Sequence, residues 1–341
     1  MKILAIDTSC DDTCVAVLND NQILSNVISS QTNLHHQWGG IVPNIAKRAH
    51  LEFINPIYET ALKRSHLTID QIDCIAVTQG LGLSPCLGVG IDFAKKLAIK
   101  YHKKLIAVNH IEGHILSNFL KNNRNQPQRN IIFPALALTA SGGHTQLVLV
   151  NKIGFYQVVG QTLDDAAGEA LDKAAKLMGL GYPGGAIIEQ LSKTGNENFL
   201  KLPLPLKEKK NFNFSFSGLK TSFYYQIKDW GEEKIIKNIN DLSASFQSAV
   251  FNSLISKFKN AAIHYQPKTL LAGGGVLANL ALRSQLRSLA RELNITIFMP
   301  FKKELNTDNA AMIGMVAYYK AQRGEYVKNI PSLDRSPRLS L

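Results

Sequence analysis

Nowhere in these 341 residues does an apolar run reach the roughly 18 residues that a membrane span requires, so no bilayer segment is expected. A cleavable secretory signal is not expected either. The opening MKILAIDTSCDD meets two aspartates before an apolar region could be completed. Cysteine is scarce, and Cys10, Cys14, Cys74 and Cys86 form no CxxC pair. They read as reduced core or turn residues of a cytoplasmic protein. Acids are also in short supply, 26 against 38 lysines and arginines, leaving a net charge of +12. That balance favours polyanionic partners, RNA first among them. The lysines gather in Lys95–Lys104 and Lys201–Lys210, which fit a nucleic-acid footprint or two solvated faces equally well. What is plentiful is apolar: 45% of the residues are hydrophobic, enough for a large core, and the length predicts two domains.

The stretch VNHIEGH carries His110 and His114. If it opens a helix, the spacing puts both imidazoles on one face, a turn apart. Two neutral imidazoles so placed can share one divalent transition metal, given a third ligand from elsewhere. A pair of surface histidines at a helix start would have the same spacing, so the motif alone leaves both readings open.

Along the chain, Lys2–Asp7 is an apolar run closed by an acid, then Thr8–Thr13 forms a polar turn, Cys14–Leu18 a second run, and Ile23-Leu24 a third. This is a strand meander. A strand-end carboxylate followed by Thr8 and Ser9 offers an acid-plus-hydroxyl site, although a satisfied turn cap is the simpler reading of both hydroxyls. Residues 45–62 show helical spacing, with Pro56 as an expected kink. A strand over Ile72–Thr78, glycine-rich loops through Gly88–Gly90, a helix over Ile91–Tyr101 and a strand over Leu105–Val108 lead to His110. Lys121–Arg129 is a polar boundary, after which the meander returns in 135–159 around the turn Thr139–Thr145. The repetition predicts two similar α/β lobes facing across a cleft, one from 1–128 with 309–341 and one from 129–308. In the second half, a helix over Asp164–Met178 would hold Asp164, Asp165 and Glu169 at its positive end. A helix from Leu242 carries the stripe Phe246, Val250, Leu254 and Phe258. The strand Thr269–Leu271 runs into Gly273-Gly274-Gly275 and a helix from about Ala278, a turn suited to an anion or a base edge.

IDTSCDDT, VNHIEGH, SGGHTQL, DDAAGEALDK, GYPGG, FSFSGLKT, GGGVLAN and TDNAAMI, in this order, resemble the motif set of the Gcp/TsaD family. These are the tRNA N6-adenosine threonylcarbamoyltransferases, formerly called O-sialoglycoprotein endopeptidases. The resemblance implies a two-lobed actin-like ATPase (ASKHA, ribonuclease H-like) fold with duplicated lobes. It also implies a divalent metal, iron or zinc, on His110, His114 and Asp308. Contacts to a threonylcarbamoyl-adenylate (or ATP) carry over to Thr139, Ala140, Ser141, Gly142, Gly143, Asp172, Gly185 and Asn279. The implied acceptor is the N6 amine of the adenosine after the anticodon in tRNAs reading A-starting codons. The implied partners are a smaller paralogous, TsaB-like subunit and a TsaE-like P-loop ATPase. Asn44 and Leu81 depart from the family's usual Pro-Glu and Gly-Pro-Gly, and its Pro-Arg-Trp-Pro is reduced here to Pro337-Arg338-Leu339.

The reaction so implied is acyl transfer from a mixed anhydride to a weakly nucleophilic amine, which asks mainly for orientation and charge stabilisation. Asp11 and Asp12 are candidates for proton handling or threonine recognition, with turn capping as the alternative. A zincin-type peptidase would need an acid directly after the first histidine, but here the acid is Glu112, about 200° round the helix from His110. A non-catalytic actin-like scaffold or a sugar kinase of the same fold would leave the histidine pair unexplained.

Overall fold

The computed structural model describes residues 1–206 and 211–341, so part of the basic segment Lys201–Lys210 lies outside the described residues. The chain packs as two compact units. Unit 1 comprises Met1–Leu34, Ile41–Ile131 and Met299–Leu341; unit 2 comprises His35–Gly40 and Ile132–Phe298. Residues 299–308, read from the sequence as part of the second lobe, thus pack with the first, and Asp308 with them.

Unit 1 opens with β1 (Lys2–Asp7), β2 (Asp12–Asn19) and β3 (Gln22–Ser30), an antiparallel meander. After a single turn, α1 (Thr32–His35), come α2 (Pro43–Ser65), β4 (Cys74–Gly80), α3 (Ser84–Lys100), β5 (Lys104–Asn109) and α4 (His110–Leu116). The strand order is β3-β2-β1-β4-β5, with β4 parallel to β1 and β5 parallel to β4. β1 and β4 are apolar without alternation because both faces of the sheet are covered. Leu4, Ile6, Val15 and Val17 join a core with Ile54, Ala61, Val89, Ile91 and Leu97 from α2 and α3. The residues between them point the other way.

Two helix starts differ from the sequence expectation. α2 begins at Pro43, ahead of the expected Ile45, and runs on through Pro56 to Ser65. α3 begins at Ser84, with Pro85 in its first turn, so Gly88 and Gly90 lie inside the helix instead of in a loop. The glycines serve close approach: a Cβ on Gly90 would stand 2.5 Å from Thr8 Oγ1, and one on Gly88 2.6 Å from Arg335 Nη1. Thr8 Oγ1 also accepts from Gly90 N (3.1 Å) and donates to Cys86 O (2.8 Å), which docks the β1–β2 turn on α3.

Unit 2 repeats the plan. β6 (Ala135–Ala140), β7 (Thr145–Lys152) and β8 (Phe155–Gln161) form the meander. Then follow α5 (Ala167–Leu177), α6 (Gly184–Ser192), α7 (Ser217–Ile227), α8 (Glu232–Lys237), α9 (Ile239–Tyr265), β9 (Thr269–Gly273), α10 (Leu280–Glu292) and β10 (Thr296–Phe298). The order β10-β9-β6-β7-β8 is that of unit 1 read strand for strand. The stripe Phe246, Val250, Leu254 and Phe258 of α9 is fully buried. α5 starts three residues after Asp164, so that carboxylate does not sit in its first turn. It accepts instead from Ser215 Oγ, Phe216 N, Ser217 N and Ser217 Oγ, and so closes the start of α7, whose own N-cap residue is an apolar Phe216.

The chain then returns to unit 1 with α11 (Ala310–Gln322), capped by Asn309 Oδ1 accepting from Met312 N (3.1 Å). Gly314 lies against Leu18 and Ala5, and a Cβ on Gly113 of α4 would stand 3.1 Å from Met312 and 3.3 Å from Ile313. These two small residues let α11 press on the sheet and on α4, which brings Asp308 to the histidines. No helix among the described residues is long and apolar enough to cross a membrane.

Candidate metal centre

β5 delivers the chain straight into α4, and Asn109 at the junction is the N-cap. Its Oδ1 accepts from Ile111 N (2.9 Å) and Glu112 N (3.3 Å). Helical spacing then sets His110 and His114 edge to face, with ring centroids 4.7 Å apart and planes 85° apart. His110 Nε2 and His114 Nε2 stand 3.3 Å and 3.4 Å from the same atom, Asp308 Oδ1. The three donor atoms all lie within 4.8 Å of one another.

A metal fits this set. Donors bound at about 2.1 Å in tetrahedral array sit roughly 3.4 Å apart, which is the separation of each imidazole nitrogen from Asp308 Oδ1. Both nitrogens of His114 are buried without a hydrogen-bond partner, the 3.4 Å approach to Asp308 lacking hydrogen-bond geometry. Buried polar atoms left so are costly unless something else engages them. Two imidazoles and one carboxylate suit iron(II) or zinc. Burial, with His110 adding to it, lowers the His114 pKa and keeps the ring neutral as a ligand must be. For His110 burial also disfavours charge, but Asp308 and Asp7 outweigh it and raise the ring to about 9; a metal would displace that proton. Burial works against the Asp308 carboxylate too, yet the two histidines hold it well below the usual carboxylate range.

Behind the ligands lies a layer that the sequence offered as an acid-plus-hydroxyl site at a strand end, with a turn cap as the simpler reading of its hydroxyls. Ser9 Oγ is 3.2 Å from His110 Nδ1, and Asp7 Oδ2 is 3.7 Å from it. Asp7 Oδ1 accepts from Ser9 N (3.1 Å) and Thr78 Oγ1 (2.8 Å). The available signal was an acid closing an apolar strand, with a hydroxyl two residues on. His50 fixes the turn from the other side, within 2.8 Å of Thr13 Oγ1 and 3.0 Å of Cys10 O.

Asp11 and Asp12 sit on that turn, half-buried. Burial, then the charges of Asp11 and Asp308, push Asp12 up to about 8, and its Oδ1 has no hydrogen-bond partner. The four cysteines are free. Burial raises Cys74 to about 12 and Cys86 to about 11, and Cys14 Sγ meets the Asp308 carbonyl at 3.7 Å. None is poised as a thiolate.

The remaining candidates lie in unit 2. Thr139 and Ala140 are buried at the end of β6, so a ligand would meet their backbone. Ser141 N donates to His144 O (2.8 Å), closing a turn whose Gly142 and Gly143 face open space, with nothing within 4 Å of an added Cβ. Asp172 Oδ1 accepts from Gly185 N (3.1 Å), joining two of the expected contacts directly. Gly274, at φ 105°, packs its bare Cα on Ala140. Asn279 is the N-cap of α10: Oδ1 accepts from Ala281 N and Leu282 N, and Nδ2 donates to Gln247 Oε1 (2.8 Å). Its capping role was hidden in the sequence by the expected start of that helix at Ala278.

Residues 22–315 match the family model described as TsaD: tRNA N6-adenosine threonylcarbamoyltransferase. A tRNA N6-adenosine threonylcarbamoyltransferase of Thermosipho africanus is 43% identical over 341 residues, covering all of both chains. One from Kosmotoga olearia is 47% identical over 324 residues, 95% of this chain and 94% of its own. Among solved structures, T. kodakarensis HypF aligns with a TM-score of 0.61 at 13% identity, over 95% of this chain and 48% of that one. So distant a likeness speaks for the fold alone, which is the actin-like ATPase type with duplicated sheets. Sequences this similar over this much of their length share an activity class, and the chain belongs to the TsaD family, the tRNA N6-adenosine threonylcarbamoyltransferases.

Proposed function

We propose that this tRNA-modifying transferase takes the threonylcarbamoyl group from threonylcarbamoyl-adenylate and places it on N6 of the adenosine that follows the anticodon, releasing AMP. The observation that carries the reading is the convergence of His110 Nε2 and His114 Nε2 on Asp308 Oδ1 around unpartnered buried nitrogens. A metal held there, iron(II) in the first instance and zinc as the alternative, would supply Lewis acidity toward a carbonyl or phosphate oxygen.

The rest is work for the chain's own groups. Asp7 and Ser9 hold the far edge of His110, so the ligand ring cannot rotate freely. Asp12, in its ionised form, is the candidate to accept the proton that the N6 amine gives up, with Asp11 beside it; burial and the charges of Asp11 and Asp308 raise its affinity for that proton. In unit 2 the open Ser141–Gly143 turn offers backbone N–H groups to phosphate or carbamoyl oxygens, and Asp172 is suited to a ribose hydroxyl. Activation already resides in the anhydride, so positioning is the larger part of the task.

A metallopeptidase reading is weaker, because the carboxylate gathered with the histidines is Asp308 and not Glu112. The acidic adenylate and tRNA suit the excess of basic residues. A TsaB-like subunit and a TsaE-like ATPase are the proposed partners, and the cytoplasm, where tRNA is found, the proposed location.

The test is mass analysis of nucleosides from tRNA incubated with this chain, its partners and threonylcarbamoyl-adenylate. His110→Ala should abolish the modified adenosine while leaving the fold near normal. Full activity of that variant would remove the metal assignment.

A further inference from the structure

Beyond α11 the chain turns back along unit 1 and reaches the head of α4. Val327 N donates to Leu105 O (2.8 Å), and Ser336 N to Gln79 O (2.8 Å). Lys95 Nζ donates to Leu333 O (3.1 Å), Gln79 Nε2 to Asp334 O (3.1 Å), and Gly82 N to Pro337 O (3.4 Å). Val327, Ile330 and Leu333 pack on the core under α2 and α3. The path is cut into the fold, because any Cβ on Gly80 would collide with Ser336 O. Gly80 is also the residue of β4 that pairs with Asn109.

At the end of this strap, Leu339 O and Ser340 O each accept from Asn109 Nδ2 at 3.1 Å. The same amide therefore has both ends committed, its oxygen to the first N–H groups of α4 and its nitrogen to two carbonyls of the strap. Turning the amide over would set NH₂ against N–H donors and oxygen against carbonyl oxygens, which both sides forbid. His110 follows Asn109 directly, and His114 is one turn further on.

We infer that the strap over 333–341 is a positioning element for the metal ligands, acting through Asn109 to fix the first turn of α4. The inference rests on the metal-centre reading above. Asn109 and the strap touch none of the reacting atoms; they hold the turn on which both imidazoles stand. Outer-shell partners of this kind are worth about tenfold or more in metal affinity.

The experiment is titration of the chelator-treated full chain with Co²⁺, followed by its visible ligand-field absorption. A truncated chain, 1–338, and full-length Asn109→Ser are titrated alongside. Serine keeps a capping oxygen but cannot span to the strap carbonyls. Both variants should bind Co²⁺ about tenfold or more weakly with a displaced band. The combined variant should be no weaker than either alone, since both cut one connection, whereas independent structural damage would add. If 1–338 fails to unfold cooperatively, Asn109→Ser decides by itself. Unchanged affinity and band in the variants would overturn the strap's role. Failure of the full chain to bind Co²⁺ would overturn the metal centre, and this inference with it.

Discussion

Asp7 Oδ2 lies 3.7 Å from His110 Nδ1, on the edge of the imidazole opposite the one that faces Asp308. Buried carboxylates behind metal-binding histidines orient the ring and raise its basicity. Asp7 is itself held, by Ser9 N and Thr78 Oγ1, so it cannot follow a ring that drifts. Asp7→Asn keeps the shape and removes the charge. The expected result is about a 10- to 100-fold loss of metal affinity, read as metal retained against chelators of graded strength. Retention equal to the parent protein would mean that Asp7 serves the fold alone.

Asp12 sets a pH dependence whose sign can be worked out. Burial and the charges of Asp11 and Asp308 raise its carboxyl to about 8 in the metal-free protein. The unfolded chain releases that proton near the ordinary value of about 3.9. Between the two the unfolded state binds fewer protons, so the residue's contribution to stability is present at low pH and lost as pH rises toward 8. Asp12→Asn removes this dependence. Its melting temperature in chelator should climb relative to the parent as pH rises through that window, and the gap should shrink when metal is restored. Parallel pH profiles for the two proteins would exclude a buried, protonated Asp12.

Much of the architecture could be read from the chain because its signals are local. The polar turns at Thr8–Thr13 and Thr139–Thr145 each divide two apolar runs, and the structure gives both sheets one strand order. His110 and His114 were visible as a helical pair, but pairing them with Asp308 rested on family resemblance, since nothing local links residues so far apart. Gly88 and Gly90 look like loop residues because glycine marks loops. Here tertiary approach by Arg335 and Thr8 demands bare Cα atoms within a helix. Asn109 and Asn279 have no distinguishing sequence context. Each is a cap whose second half is claimed by a distant partner, Leu339 and Ser340 in one case and Gln247 in the other.

Asp164 illustrates the same point and yields a stability prediction. From its position before α5 it read as a partner of that helix dipole, yet it closes α7 through Ser215, Phe216 and Ser217. Partial burial would raise its pKa, but these hydrogen bonds outweigh it and hold the carboxyl below its ordinary value. A depressed carboxyl contributes stability above the unfolded pKa of about 3.9, and that contribution is lost as pH falls through the folded value. Asp164→Asn keeps one acceptor oxygen for the cap but loses the charge and the second acceptor toward the Ser215 and Ser217 hydroxyls, so it should cost roughly 1 kcal/mol at pH 7, the value of a single hydrogen bond. The difference in urea midpoint should close in acid. A gap that persists unchanged at pH 2 would assign the effect to shape and not to charge.

The glycines around Ser141 separate a fold requirement from a ligand requirement. A Cβ on Gly168 would lie 2.7 Å from Ser141 O and 2.9 Å from Gly142 Cα, so Gly168→Ala must displace the turn. A Cβ on Gly142 meets nothing within 4 Å, and Gly142→Ala should unfold with the parent protein. If the turn receives the adenylate, the added methyl occupies the space where phosphate or carbamoyl oxygens approach backbone N–H groups. Gly142→Ala should then weaken AMP binding by about tenfold, the loss of one to two hydrogen bonds, while leaving the melting temperature alone. Gly168→Ala should lower both. Calorimetric titration of AMP beside thermal unfolding distinguishes them, and parental AMP affinity in Gly142→Ala would move the nucleotide elsewhere on unit 2.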